Sequence, residues 1–217
     1  MGTGRISNKK RTEAVIEYFT KHMPEPETEL SHENPYELIV AVILSAQCTD
    51  KRVNLITPPF FRKFPSPEKL AKASHEEVFV MIKSCSYPNN KTKHLLGMAK
   101  VLVDEFKNKI PADIDLLQKL PGVGRKSANV IAAVIHKMPV MPVDTHVFRV
   151  SARIGLTAGA KTVLQAEEQL TAIFPADLIP HAHHWLILHG RYVCKARKPQ
   201  CQDCGLTTIC RYYAKLY

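Results

Sequence analysis

The stretch that decides the fold runs from Leu116 to Val130 and reads Leu-Leu-Gln-Lys-Leu-Pro-Gly-Val-Gly-Arg-Lys-Ser-Ala-Asn-Val. It predicts a short helix, a tight turn and a second helix, because Pro121 cannot continue a helix and glycine permits unusual backbone angles. The amides of Gly122, Val123 and Gly124 would then lie at the N-terminus of the second helix. Such amides bind anions, so the turn predicts a phosphate site.

Several kinds of turn fit this pattern. A dinucleotide-binding fingerprint needs a preceding strand and a third glycine, and the sequence offers neither. A Walker loop needs lysine directly after its last glycine, whereas Arg125 follows Gly124 here. A helix-hairpin-helix, which holds a DNA phosphate through hairpin amides, remains, and so does an ordinary helical hairpin without a ligand. This stretch alone leaves both open.

Charge and composition favour a polyanionic partner. The chain has 217 residues, a net charge of +10 and an apolar content of 45%. This length suits one or two domains with a real core, and the basic surplus suits nucleic acid. No apolar run is long enough to span a bilayer and no signal peptide is recognisable. We therefore expect an intracellular, cytoplasmic protein without a membrane partner.

Nearly the whole chain predicts helices, and no alternating pattern predicts a strand, so the expected fold class is all-α. Asn34 provides a helix cap, with proline at the first position of the helix and glutamate at the third. That helix is apolar nearly all round and should lie in the core. Residues 87–90 predict a turn. The longer predicted helices span 8–22, 35–46, 50–62, 75–84, 91–106, 145–154, 162–173 and 180–193.

Four cysteines close the chain in the pattern Cys-x6-Cys-x2-Cys-x5-Cys: Cys194, Cys201, Cys204 and Cys210. In an intracellular protein, such close spacing favours a metal centre over disulfides. Four thiolates suit either zinc or an iron–sulfur cluster, and the ligand chemistry leaves the two open.

The loop inside this cysteine pattern carries three cations, Lys195, Arg197 and Lys198. A solvated loop is one interpretation, and a loop that is pinned by a metal and faces phosphate is the other. Cys48 and Cys85 lie apart from the tail, and we expect them to be core or partly buried thiols.

Four features now occur in one order along the chain: the hairpin, the segment Val143–Val150, the run His183–Arg191 and the four-cysteine tail. Together they resemble the endonuclease III family, the bifunctional DNA glycosylases of base-excision repair. The resemblance extends from about Asn34 to Cys210. It implies a two-lobed, all-α helix-hairpin-helix glycosylase fold with a [4Fe–4S] cluster bound by the four tail cysteines.

The family fold implies two lobes in this chain. A six-helix lobe with the hairpin would cover residues 31–138, and a discontinuous cluster lobe would combine residues 1–30 with 139–217. Double-stranded DNA with a damaged base or an abasic site would lie across the groove between the lobes, and the damaged base would be flipped out. The resemblance also implies a monomer, associated with the nucleoid in a bacterium.

Two residues match the family's catalytic pair, Lys126 its lysine and Asp144 its aspartate. The resemblance implies that Lys126 attacks C1′ of the sugar, that the base leaves, and that the resulting Schiff base permits β-elimination 3′ to the lesion. Asp144 would transfer a proton or stabilise cationic sugar character. Apart from the resemblance, a solvated lysine and a helix N-cap are the commoner roles of such residues.

The resemblance also implies DNA contacts. Gln47 matches the residue that fills the gap left by the flipped base. Tyr87 falls where the family carries an apolar wedge, but the segment Ser86–Asn89 departs from the usual Gly-Leu-Tyr-Asn, so the wedge contacts differ here. The hairpin amides, Arg149 and the three cations of the tail loop complete the expected DNA-binding set.

Rival functions are separable by sequence or by a simple assay. The adenine-mismatch branch lacks a lysine at position 126 and has a glutamate in the helix near Ala46, and the thymine-mismatch branch usually has tyrosine in place of Lys126. This chain has Lys126 and no glutamate between Glu37 and Gln47, so both branches are disfavoured. A non-catalytic DNA-binding protein with a structural metal is the rival of another class, and it would not nick an abasic-site duplex.

Overall fold

The structure is a computed structural model that describes residues 6–216, and within that span all regular secondary structure is helical. The predicted all-α class is confirmed. No helix of this span is long and apolar enough to cross a membrane. The α-helices are α1 Asn8–His22, α2 Pro35–Ser45, α3 Asp50–Lys63, α4 Pro67–Ala71, α5 His75–Ile82, α6 Pro88–Asp104, α7 Ile114–Gln118, α8 Arg125–His136, α9 Thr145–Ile154, α10 Val163–Ile173, α11 Ile179–Tyr192 and α12 Tyr213–Leu216.

Local capping determines where several of these helices begin. The Asn34 side chain accepts a hydrogen bond from the amide of Glu37, as the sequence predicts for the start of α2. Ser74 and Glu77 form a reciprocal capping box at the start of α5, which confirms a second predicted helix start.

The turn predicted at residues 87–90 is wrong for three of its four residues. Tyr87 lies just outside α6 with a left-handed backbone (φ 55°), and the helix starts directly at Pro88. Proline at the first helical position lacks only an amide that would be unpaired anyway, so it starts the helix instead of delaying it. The helix therefore begins three residues earlier than the predicted position 91.

The chain divides into two compact units. The first, which we call the hairpin unit, is Thr28–Lys137 and contains α2 to α8. Its central element is α2, whose side chains from Leu38 to Leu44 are all buried. It packs against α3, α6 and α8, so no polar face is needed and the apolar run is explained.

The second unit, which we call the tail unit, combines Met1–Glu27 with Met138–Tyr217. Trp185 is its largest fully buried side chain, and it stacks on Phe19 with ring centroids 5.7 Å apart. The Trp185 indole also donates a 2.7 Å hydrogen bond to the carbonyl of Met23. These contacts attach α1 to α11 although the two are far apart in sequence.

Candidate active site and cysteine centre

The hairpin turn requires glycine at its first corner. Gly122 has φ +85°, and a Cβ placed there would lie only 2.8 Å from the Cβ of His94. The amide of Val123 donates a 3.0 Å hydrogen bond to the carbonyl of Leu120, which closes the turn. Of the three hairpin amides in the expected phosphate site, the Val123 amide is therefore already used inside the protein.

The amides on either side of Val123 remain available. Gly124 is the exposed N-cap of α8, and no side chain caps the helix there. Within the described span, the amides of Gly122 and Gly124 donate no hydrogen bond. Two unused amides thus lie at the positive end of a twelve-residue helix, at the place where the sequence predicts a phosphate site.

Lys126 is the second residue of α8 and is exposed. It lies two residues after Gly124, whereas Ala128 and the residues that follow it enter the core. The helix therefore holds the backbone of Lys126 on a rigid base near the amides of Gly122 and Gly124. The long side chain projects from the surface of the hairpin unit.

Asp144 is the N-cap of α9 in the tail unit. Its Oδ1 accepts hydrogen bonds of 2.8 Å from the amides of both His146 and Val147. The capping role that its position suggests is therefore present. Both bonds use the same oxygen, so the cap leaves Oδ2 for other partners in this half-buried residue.

Gln47 and Tyr87 are brought together by their neighbours. Both have left-handed backbones, with φ 53° and 55°, and both are exposed. The Ser86 hydroxyl donates a 2.7 Å hydrogen bond to the carbonyl of Gln47, which joins the two loops. Below them, the buried Lys91 ammonium donates a 2.7 Å bond to the carbonyl of Leu44 at the end of α2.

Lys91 is a positioning residue that sequence reasoning missed. Its side chain is 4% exposed, and burial lowers its pKa. It satisfies a carbonyl in the last turn of α2 just before Gln47, where an unpaired buried carbonyl would be costly. No sequence signal distinguishes it from the many surface lysines of this chain.

Arg149, which we expect among the DNA contacts, already has several partners within the tail unit. Its guanidinium donates to the carbonyls of Gly190 at 2.9 Å and Cys194 at 3.3 Å, and it lies 3.2 Å from Nδ1 of His146. These bonds connect α9 to α11 and to the first tail cysteine. The structure therefore favours a structural role for Arg149.

The cationic tail loop is exposed but well anchored. Lys195, Arg197 and Lys198 all face solvent. Arg153 holds the loop by donating to the carbonyls of Lys195 at 2.7 Å and Ala196 at 3.0 Å. An anchored loop presents its cations at fixed positions, which suits a regular polyanion.

All four tail cysteines line one cavity. Among residues 6–216, no group of three His, Cys, Asp or Glu side chains could hold a single metal ion. The cavity brings the four sulfurs to the edge of one common space. Its other walls include Ile154, Leu206 and Pro199, so the space is mostly apolar.

Three nitrogen groups lie against these sulfurs. The Arg153 guanidinium donates to Sγ of Cys194 at 3.6 Å, and the amide of Tyr213 donates to Sγ of Cys210 at 3.5 Å. Nε2 of His189 lies 3.6 Å from Sγ of Cys204, and burial lowers the pKa of His189 to about 4. Hydrogen-bond donors near sulfur stabilise thiolate charge in metal centres.

The whole chain can now be compared with known proteins. Residues 40–176 match the model of the HhH-GPD superfamily base excision DNA repair protein. The endonuclease III of Rickettsia conorii is 46% identical over 202 residues, which cover 93% of this chain and 96% of that protein. This chain belongs to the endonuclease III family. It is a base-excision DNA repair enzyme, and the resemblance seen in the sequence is confirmed.

Other relatives agree with this family membership. The endonuclease III of Escherichia coli strain K12 is 38% identical over 96% of this chain and 99% of its own length. A solved structure of a trapped covalent intermediate between endonuclease III and DNA is 39% identical, with a TM-score of 0.91, and covers 97% of this chain and 99% of its own. A thermostable thymine-DNA glycosylase, at 22% identity, shares the fold alone.

Proposed function

We propose that this endonuclease III family enzyme removes oxidised pyrimidines from double-stranded DNA and cuts the abasic site through a Schiff base on Lys126. The observation that carries the proposal is the position of Lys126, exposed in the first turn of α8 two residues after Gly124, whose amide and that of Gly122 are unused. The hairpin that binds the DNA backbone thus also carries the reacting amine. That arrangement supports an enzyme over a passive DNA-binding protein.

The first step is binding of the DNA backbone. The amides of Gly122 and Gly124 and the positive end of α8 accept one phosphate, and the exposed Lys195, Arg197 and Lys198 meet others. Phosphate contacts fix the register of the protein on DNA and carry no sequence information. They bring a flipped nucleotide to Lys126 regardless of the neighbouring bases.

The second step is displacement of the base. The neutral Nζ of Lys126 attacks C1′ of the sugar as the bond to the base breaks, and the base leaves with a proton. The nitrogen lone pair then expels O4′ from C1′, the ring opens, and the proton given up by the nitrogen goes to O4′, which leaves an imine between Lys126 and C1′. Removal of a proton from C2′ then breaks the bond from C3′ to the phosphate oxygen, and water releases the lysine. A helix N-terminus disfavours a cation, which favours the neutral amine that this attack needs.

Asp144 serves two purposes in this proposal. Oδ1 keeps its two amide hydrogen bonds and so fixes the carboxylate at the start of α9. Oδ2 stabilises positive character on the sugar or accepts the proton that the amine loses. The cap thus orients the group that acts on the sugar.

The four tail cysteines fit a [4Fe–4S] cluster, and we infer that Cys194, Cys201, Cys204 and Cys210 hold it. They line one cavity with donors directed at their sulfurs, and four thiolates are the usual ligand set. When bound, the cluster supplies iron–thiolate bonds that cross-link the tail. The chain's own residues then present the cations of the loop between the first two cysteines.

The cluster proposal predicts iron in the purified protein. We expect a yellow-brown preparation with about four irons per chain, as the cluster type requires. Cys204→Ser should lose the colour and the iron, because it removes one ligand. Cys85→Ser is the matched control and should keep both, because Cys85 lies outside the cavity. Metal analysis that finds one zinc and no iron, from cells with ample iron, would contradict the cluster.

Gln47→Ala tests the base-flipping part of the function. A flipped base leaves a hole and an orphan partner, at an unstacking cost of a few kcal/mol. The exposed Gln47 amide can both donate to and accept from that partner. We expect slower excision from a duplex with an oxidised pyrimidine and a smaller effect on a preformed abasic site. Single-turnover rates on both substrates measure the difference.

Gln118→Ala is the control, since Gln118 is an exposed glutamine of the same unit, on α7. It should leave both rates unchanged. Equal losses of both rates in Gln47→Ala would show that Gln47 does not fill the gap. If the wild-type protein neither releases an oxidised pyrimidine nor cuts the abasic duplex, the proposed function itself is wrong.

A further inference from the structure

Two cysteines outside the tail lie against each other in the hairpin unit. The thiol of Cys48 donates toward the sulfur of Cys85, with the two Sγ atoms 3.9 Å apart. Cys85 is 5% exposed, whereas Cys48 is half-buried. A pair of thiols in contact, one of which reaches solvent, has the arrangement that a reversible disulfide needs.

The two cysteines belong to the two loops that carry the proposed DNA-gap residues. Cys48 follows Gln47 in the connection between α2 and α3, and Cys85 is two residues before Tyr87 in the connection between α5 and α6. The Ser86 hydroxyl already bonds the carbonyl of Gln47 at 2.7 Å. A covalent bond between the cysteines would add a second link between the same loops.

The surroundings assign different roles to the two thiols. Burial, and then the neighbouring Cys48, raise the pKa of the Cys85 thiol to about 11, although Lys91 and Arg52 oppose this. Cys85 is therefore a poor first nucleophile. The partly exposed Cys48 is the thiol that an oxidant reaches, and Cys85 is positioned to react with it afterwards.

We propose that Cys48 and Cys85 are a peroxide-oxidised disulfide site that joins the Gln47 and Tyr87 loops and slows base excision. The effect on excision rests on the proposed function of these loops. Formation of the disulfide does not rest on it, so the two can fail separately.

The chemistry balances with hydrogen peroxide as the oxidant. The Cys48 thiolate attacks one peroxide oxygen, the O–O bond breaks, and hydroxide leaves, which gives a sulfenic acid. The Cys85 sulfur then attacks the Cys48 sulfur, the S–O bond breaks, and the thiol proton leaves with the hydroxide as water. Overall, two thiols and one peroxide give one disulfide and two waters, and a dithiol reductant returns two electrons in the reverse direction.

Closure requires movement near the DNA-gap residues. A disulfide has a sulfur–sulfur distance of about 2.05 Å, whereas the two sulfurs are now 3.9 Å apart. The two side chains must move to make the bond, and because Gln47 is adjacent to Cys48, this movement acts on the loop that carries Gln47. Both Gln47 and Tyr87 have left-handed backbones, which residues other than glycine rarely adopt. A shift of their loops therefore changes the positions of the two side chains.

The first test is chemical. The full-length protein with its bound metal is treated with hydrogen peroxide, free thiols are blocked with an alkylating agent, and the digest is examined by mass spectrometry. We expect one linked peptide pair that joins Cys48 to Cys85, is two hydrogens lighter than its parts, and disappears with dithiothreitol. Cys48→Ser and Cys85→Ser should each lose it, and any linked tail peptides in these variants define the background.

Two results would overturn the disulfide. One is complete alkylation of both cysteines after peroxide treatment, and the other is oxidation of Cys48 to a sulfinic acid without a link to Cys85. Either would show that the contact does not lead to a bond.

The second test measures the consequence. Oxidised wild-type protein should excise an oxidised pyrimidine about fivefold more slowly or worse, in the range of ordinary coupling between sites, with recovery on reduction. Oxidised Cys48→Ser should keep its reduced rate. A linked pair with unchanged excision would overturn the regulatory role. If even the reduced wild type fails to excise the base, the proposed function is wrong, while the linked peptide still decides the disulfide.

Discussion

Replacing Lys126 with arginine is expected to abolish strand cleavage at an abasic site, with a loss on the order of 10⁴-fold or more, as removal of a nucleophile gives in other covalent enzymes. The guanidinium keeps the positive charge beside the hairpin amides but cannot form a Schiff base. DNA binding should therefore change little. Single-turnover cleavage of an abasic duplex measures the rate, and a binding titration on the same duplex measures the affinity.

Lys119→Ala is the matched control for this variant. Lys119 is an exposed lysine at the end of α7, on the other side of the same turn. Its loss can weaken binding to phosphate, but cleavage at saturating protein should remain near the wild-type rate. Cleavage by Lys126→Arg within a few-fold of the wild type would show that another amine does the chemistry.

Asp144→Asn is expected to lower both base excision and abasic-site cleavage about 10²- to 10⁴-fold, the usual contribution of a general acid–base group. The substitution separates chemistry from capping. The amide oxygen of asparagine can still accept from the amides of His146 and Val147, since asparagine is as good an N-cap as aspartate. The melting temperature should stay close to that of the wild type.

Asp144→Ala completes the comparison, because it removes the cap as well. It should add a stability loss of about 1 kcal/mol to the same loss of activity. Asp113→Asn provides the control for a capping aspartate without chemistry, since Asp113 caps α7 through the amide of Leu116. Wild-type rates in Asp144→Asn would leave Asp144 with the capping role alone.

The sequence predicts most of the fold because local signals and global packing agree. The cap at Asn34 and the all-round apolar helix that follows it identify the buried α2 without any tertiary information. The hairpin is predicted from Pro121 and its glycines. This prediction succeeds because the turn requires a positive φ at Gly122, which glycine adopts without strain. The helix start at Pro88 differs from the predicted turn because proline is accommodated at a first helical position, although the asparagines that follow it are typical turn residues.

The site is less predictable than the fold, since its contacts connect distant parts of the chain. Nothing in the sequence shows that the amide of Val123 donates a hydrogen bond to the carbonyl of Leu120. The same is true of the hydrogen bonds from Arg149 to the carbonyls of Gly190 and Cys194. Residue type suggests a phosphate contact for each, and only tertiary partners reveal the competing bonds.

The same limit applies to the buried and half-buried residues in and beside the loops that carry Gln47 and Tyr87. Lys91 resembles any surface lysine in the sequence, yet it is buried and bonded to the carbonyl of Leu44. Cys48 and Cys85 are correctly expected to be core or partly buried thiols, but their contact depends on the packing of two separate connections. Such pairs become visible only when the fold places those connections side by side.

The central claim is that Lys126 forms the covalent bond to DNA, and trapping with borohydride tests it most directly. Borohydride reduces the imine to a stable amine, so the wild-type protein on an abasic duplex should give a covalent adduct. Digestion and mass spectrometry should place the remaining sugar on the peptide that contains Lys126. An adduct on any other lysine or on the N-terminal amine, or strand cleavage without a trapped adduct, would contradict the account.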